Sequence, residues 1–116
     1  MNPYALLSGN WGWADTDDCA ATPKQIRFSE DRQKMFLSLV PRREDGTREP
    51  RREATYQVLG ELPDGLRMSM DGEQRLDAAG KPIDWDLMVI EPDQICWHRS
   101  DWPAGGCTKS IHRCKA

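Results

Sequence analysis

Apolar residues recur at every second position along much of the chain, which is the spacing that places them on one face of a β-strand. The clearest run is Leu66, Met68 and Met70, where each apolar residue is followed by a polar one. Shorter runs with the same spacing lie at residues 26–28, 35–39, 56–58, 85–89 and 95–97. No comparable stretch has helical spacing, so the pattern predicts an all-β chain whose sheet has one wet face.

Short turn-forming sequences separate these runs. The segments 45–46, 64–65 and 79–82 each contain a glycine, which supplies the positive φ that tight turns require. Counted from Gly9, the pattern gives about eight strands joined in sequence order by short connections, which is typical of an up-and-down barrel or a sandwich. We favour an antiparallel meander closed into a small barrel, because closure removes the exposed strand edges.

The charge balance narrows the range of partners. The chain has 16 Lys and Arg against 19 Asp and Glu, so it lacks the basic face that binding to a phosphate backbone requires. No apolar run approaches the roughly 20 residues that a membrane-spanning helix needs. We therefore expect no nucleic-acid partner and no membrane span, and no sequence motif indicates a cofactor.

Cysteine content indicates the compartment. Four cysteines in 116 residues are typical of proteins from an oxidising environment, with a cytosolic protein of four reduced thiols as the alternative. Because no signal peptide is recognisable, we interpret Met1 as a start residue placed where such a peptide was removed, and expect a periplasmic or secreted protein. Residues 1–8 are then a flexible N-terminal segment, and residues 9–116 form a single barrel domain.

The C-terminal cysteines and histidines mirror each other along the chain. In a hairpin centred on Gly105, Cys96 would lie opposite Cys114 and His98 opposite His112, all on the same face. Two cysteines and two histidines in that arrangement have the donor set of a tetrahedral zinc site. The alternative is a cross-strand disulfide with the histidines as a polar surface pair. We favour disulfides and expect no metal.

The pairing of the cysteines depends on the register of this hairpin. A hairpin centred between residues 101 and 102 would pair Cys96 with Cys107 and leave Cys19 for Cys114. Four cysteines allow three connectivities, and the sequence alone does not choose among them. We favour this pairing, because a bond between Cys19 and Cys114 would tie the first strand to the last and lock the closed barrel.

A Gly-x-Trp triplet opens the first strand, within the sequence LSGNW at residues 7–11. It resembles the opening triplet of the calycin superfamily, which includes lipocalins, avidins and small bacterial protease inhibitors. Arg113 resembles the arginine that in lipocalins lies across this tryptophan from the last strand. The resemblance implies structural roles: Gly9 turns the chain into the barrel floor, Trp11 plugs the floor, and Arg113 makes a cation–π contact with Trp11.

The small metalloprotease inhibitors of Gram-negative bacteria are similar in length and pair the same kind of strand with a nearby cysteine, here Cys19. In that family the residues before the barrel enter the protease cleft. The likeness implies that Met1 to Ser8 form an inhibitory segment. The alternative is that these residues are a frayed terminus.

Methionine and aromatic side chains suggest a ligand site, because they line adaptable pockets. We expect a small apolar or amphipathic ligand in the barrel interior or at its open end. The predicted ligand-binding residues are Leu66, Met68, Met70, Trp85, Met88 and Trp102. Trp102 stands before a proline in a turn, where its indole either anchors a partner or folds back to cap the barrel.

Candidate catalytic groups are few. Asp84 and Asp86 alternate with inward residues and are expected to face water, and the aspartates at positions 15, 17 and 18 are typical of a turn. Paired carboxylates need a cleft that separates their pKa values, and the histidines lack a serine or cysteine partner. We therefore expect no catalytic residues and a non-catalytic binding protein of the cell envelope. The alternative is an inhibitor of a protease or other secreted hydrolase, acting through the N-terminal segment and the barrel-end loops.

Overall fold

A computed structural model describes residues 2–13 and 16–115 of the chain. Within these residues the strands are β1 (Gly9–Trp13), β2 (Lys24–Phe28), β3 (Lys34–Leu39), β4 (Arg52–Leu62), β5 (Gly65–Met70), β6 (Trp85–Glu91), β7 (Gln94–Arg99) and β8 (Ile111–Arg113). Two short helices accompany them: α1 (Pro3–Leu7) before the first strand and α2 (Asp18–Ala21) between β1 and β2.

Each strand pairs antiparallel with the next in sequence, and β8 pairs with β1, so the eight strands form a closed barrel. This confirms the predicted all-β meander barrel. The alternation of residues sets the register: Met68 in β5 lies opposite Trp85 in β6, and both are on the inner face. Trp11 lies opposite Arg113 where β1 meets β8.

The barrel interior is filled mainly by its own side chains. Its buried members are Leu7, Trp11, Ile26, Met35, Leu37, Tyr56, Leu66, Met68, Leu87, Ile95 and Ile111. Burying one large apolar side chain stabilises the folded state by about 1.5–3 kcal/mol. The core therefore supplies the main driving force for closure, and the inward positions of all eight strands contribute to it or pack against it.

Helix α1 covers one end of the barrel. The Asn2 side chain caps the helix by accepting hydrogen bonds from the amides of Tyr4 (3.1 Å) and Ala5 (3.2 Å), and Pro3 occupies the first helical position. Leu7 is fully buried, and its carbonyl accepts a hydrogen bond from Trp11 Nε1 at 2.9 Å. Residues 3–7 thus have a defined place on the barrel, whereas the sequence analysis assigned residues 1–8 to a flexible segment; Met1 lies outside the described residues.

Two disulfides bond Cys19 to Cys114 and Cys96 to Cys107. This confirms the favoured pairing. The first joins α2 to the residue that follows β8, and the second joins β7 to the connection between β7 and β8. The observed register places His112 opposite Gln94, so the mirrored arrangement that suggested zinc is not formed.

The disulfides also bear on location. Bonds of this kind form and persist in oxidising, extracytoplasmic environments. Across residues 2–13 and 16–115, no helix is long and apolar enough to cross a membrane.

Candidate functional site

The floor of the barrel lies at the α1 end. The Arg113 guanidinium carbon is 4.4 Å from the centroid of the Trp11 ring, and Trp11 is only 1% exposed. Arg113 also donates hydrogen bonds to the carbonyl of Ser8 (3.3 Å) and to Asp93 Oδ1 (2.9 Å). Gly9 has φ of +130°, and a Cβ there would lie 3.4 Å from the Arg113 guanidinium. Residues from both ends of the chain therefore form the closed floor of the barrel.

An apolar cavity of about 150 Å³ lies above this floor, and we call it the inner cavity. It is lined by Trp11, Trp13, Lys24, Ile26, Leu37, Leu39, Ile95, Trp97 and Ile111. Among the described residues Lys24 is the one charged member of this lining. Trp11 at the floor and Ile26, Leu37, Ile95 and Ile111 in the wall are buried, whereas Trp13, Lys24, Leu39 and Trp97 are half-buried. A mainly apolar cavity of this volume has room for a molecule of the size of benzene.

Aromatic rings fill the barrel beside the inner cavity. Trp97 stacks on Tyr56 with ring centroids 5.3 Å apart, and its edge meets Trp85 at 5.8 Å. Trp85 in turn meets Trp102 edge to face at 6.2 Å. Burial raises the pKa of Tyr56 to about 12, so this ring stays neutral in the physiological range. The rings give Trp97, and with it one wall of the cavity, a fixed position.

A second cavity of about 300 Å³ opens at the end of the barrel opposite α1, and we call it the outer cavity. It is lined by Trp13, Thr16, Asp18, Lys24, Leu39, Val40, Pro41 and Arg42. Trp13, Lys24 and Leu39 line both cavities. These three side chains therefore form the boundary between the apolar interior and the charged rim.

An ion pair lies at this boundary. Lys24 Nζ is 3.2 Å from Asp18 Oδ2 and 5.3 Å from the centroid of the Trp13 ring. Burial raises the pKa of Asp18, but hydrogen bonds from the Trp13 amide and from Lys24 outweigh this effect and lower it overall. Gly12 permits the close approach of α2, because a Cβ there would lie 2.8 Å from Asp18 Cβ. Asp18 is therefore ionised beside the lysine.

Two arginines from the connection between β3 and β4 extend the charged rim. Arg42 lies 3.2 Å from Asp17 Oδ1 and 3.5 Å from Asp18 Oδ1, and Arg48 also hydrogen-bonds to Asp17. The hydrogen bond from Arg48 lowers the pKa of Asp17. Within residues 2–13 and 16–115, the ion pairs of this network join three cations, Lys24, Arg42 and Arg48, to two carboxylates, Asp17 and Asp18.

The residues predicted to bind a ligand lie elsewhere. Leu66 and Met68 are fully buried in the core, and Met70 and Trp85 pack against it. None of the six predicted residues lines the inner cavity. The space is left among inward residues of β1, β2, β3, β7 and β8. The alternation of single residues does not reveal where such space remains.

Met88 faces the outside of the barrel. It lines a groove of about 440 Å³ between the β6–β7 hairpin and the chain that precedes β8. Asp86 stands at one end of the groove and is only 5% exposed, although the sequence analysis expected it to face water. The side chains of Arg67 (2.9 Å) and His98 (3.4 Å) cover its carboxylate. Asp86 does point away from the core, but these partners shield it from solvent.

Trp102 and two of the aspartates considered in the sequence take part in the protein's own packing and ion pairs. Trp102 folds back onto the barrel end, where its ring contacts Trp85 and His98. Asp17 and Asp18 lie in the ion pairs at the rim, whereas Asp15 lies outside the described residues.

None of the protein-family models, curated proteins or solved structures compared with this chain matches it. What is established of this chain is therefore its fold, an eight-stranded antiparallel meander closed into a barrel.

Proposed function

We propose that this protein is a non-catalytic binding protein of calycin type, acting in the periplasm or as a secreted protein, and that it holds one small apolar molecule in the inner cavity. The observation that carries the proposal is the inner cavity itself. It is an apolar space of about 150 Å³ in a barrel whose interior is otherwise filled by side chains.

The energetics of packing support a role for this space. Side chains around unfilled apolar volume lose packing contacts on that side, and this lowers the stability of the folded state. A ligand that occupies the inner cavity would restore those contacts.

The volume limits the size of the ligand. Sites for drug-sized molecules measure about 300–1,000 Å³, so the inner cavity is too small for a long-chain lipid or a polycyclic molecule. One ring, or a short branched chain, fits it. The walls offer Trp11, Trp13 and Trp97 as aromatic surfaces for such a ring.

Toluene is a suitable first probe, since it has the size of the cavity and no polar group. We expect it to raise the midpoint of thermal unfolding and to change the tryptophan fluorescence, because three of the lining residues are tryptophans. At 100 times its dissociation constant a ligand stabilises the folded state by about 2.7 kcal/mol.

A matched pair of variants locates the site. Ile111→Phe places a ring in the inner cavity and should abolish the effect of toluene, whereas Ile90→Phe makes the same change at a position 49% exposed and should leave it intact. Equal responses of the two variants, or no response of the unmodified protein, would contradict the proposal.

The inhibitor alternative gains no support from the described residues. Leu7 is buried, and the carbonyl of Ser8 accepts a hydrogen bond from Arg113. The N-terminal segment would have to leave these contacts before it could enter the cleft of a protease.

A further inference from the structure

Lys24 lies at the boundary between the inner and outer cavities. Its side chain is 20% exposed and lines both the apolar inner cavity and the charged outer cavity. Asp18 is the hydrogen-bond partner of Lys24 Nζ among the described residues, and an ammonium group has three N–H donors. The lysine therefore keeps donors for another acceptor at the boundary between the cavities.

Arg42 supplies a second cation to the outer cavity. Its guanidinium lies 3.5 Å from Asp18, so the two cations lie on either side of one carboxylate. In the part of the rim that the structure describes, Asp17 is the other anion, and it already accepts hydrogen bonds from Arg42 and Arg48. An incoming carboxylate would meet the two cations of the outer cavity, Lys24 and Arg42, whereas an incoming ammonium group would be repelled by them.

From this arrangement we infer that the molecule held in the inner cavity is a small monocarboxylate, with its apolar part among the tryptophans and its carboxylate in the outer cavity, where Lys24 and Arg42 donate hydrogen bonds to it. The inference rests on the proposed function, since it names the chemical class of the same ligand. The ligand would cross the boundary formed by Trp13, Lys24 and Leu39, which line both cavities. The class includes aromatic acids with one ring and short branched-chain acids.

Probes of similar shape and different charge test the inference. Benzoate, benzyl alcohol and benzylammonium share one ring and differ in the head group, and toluene has none. Titration calorimetry at pH 7 and low ionic strength should give benzoate at least tenfold tighter binding than benzyl alcohol, with benzylammonium the weakest. Added salt should weaken benzoate binding and leave toluene binding unchanged, because screening acts on charges at the rim.

Variants test whether Lys24 and Arg42 cause the preference for benzoate. Lys24→Met combined with Asp18→Asn removes the ion pair without leaving one charge unpartnered, and Arg42→Gln changes a side chain that is 43% exposed. Each should reduce benzoate affinity toward that of benzyl alcohol while toluene binds as before. Lys34→Met is the matched control, because Lys34 is an exposed lysine outside both cavities.

The outcomes separate the inference from the proposed function. If toluene binds and benzoate binds no tighter than benzyl alcohol, the inference is wrong and the apolar site stands. If benzoate binds tightly but Lys24→Met/Asp18→Asn and Arg42→Gln behave like Lys34→Met, the carboxylate lies elsewhere and the inference is wrong. If no probe binds, both the inference and the proposed function are wrong.

Discussion

The disulfide between Cys19 and Cys114 is expected to contribute much more to stability than the one between Cys96 and Cys107. The first closes a loop of 95 residues and the second a loop of 11. In the chain-entropy description, cross-links of these lengths are worth about 4.7 and about 2.8 kcal/mol at 25 °C. Replacing each pair by alanine should therefore give free energies of unfolding that differ by about 2 kcal/mol.

Urea denaturation followed by tryptophan fluorescence measures this difference, since the five tryptophans report on the barrel interior. Both double variants leave an intact second disulfide, so each is the control for the other. Because Cys19 lies in α2 beside Asp18, the first variant also frees the helix that holds the rim of the outer cavity. An equal loss in the two variants, or a larger loss for Cys96→Ala/Cys107→Ala, would refute the reasoning from loop length.

Three further predictions concern the floor, the sheet and pH. Arg113→Met should lower the free energy of unfolding by about 2–3 kcal/mol in urea denaturation, because it removes charged hydrogen bonds to backbone carbonyls and the cation–π contact at the floor. Gly65→Ala would place a Cβ 2.0 Å from a carbonyl oxygen of β6 and should lower the free energy of unfolding by more than about 2 kcal/mol. Gly60→Ala is the control, because the new methyl group has open space around it; its free energy of unfolding should lie within about 1 kcal/mol of that of the unmodified protein. Burial raises the pKa of Glu73, but hydrogen bonds from Arg75 and an indole N–H outweigh this effect and lower the pKa to about 2. The stability that this group provides is therefore present above pH 4.5 and is lost as the pH falls toward 2. Glu73→Gln should flatten that part of the curve of unfolding free energy against pH.

The strands were predictable from the sequence because they depend on short-range patterns, and closure was favoured because it removes exposed strand edges. Alternation identified the inner face of β5, and Gly46 and Gly80 have the positive φ predicted for their turns, whereas Gly65 begins β5 without one. The favoured cysteine pairing is correct, but the hairpin register proposed for it is not: Gln94 pairs with His112, and Cys107 lies in the connection between β7 and β8. Helix α1 was missed because its signals are confined to Asn2 and Pro3, and five residues are too few to show helical periodicity.

The candidate site was not predictable, because a cavity is a property of volumes that meet across the barrel. Ile26, Leu37 and Ile111 come from three strands, and no local pattern shows that these side chains leave space between them. The position of Lys24 at the boundary also depends on α2, whose approach to β1 requires Gly12. Long-range packing decides both features.

The two parts of the site are held by different kinds of interaction. The inner cavity is bounded by strands whose hydrogen bonds run around the closed barrel, so its shape depends on the core as a whole. The outer cavity depends on α2, which is fixed by the bond from Cys19 to Cys114, and on ion pairs that reach it from the β3–β4 connection. Ion pairs near a surface are weak individually and sensitive to salt, whereas apolar burial is not. Under the proposed function, the apolar part of a monocarboxylate and its head group would therefore contact separable parts of the molecule, so variants in the outer cavity should change selectivity for charge while toluene still binds.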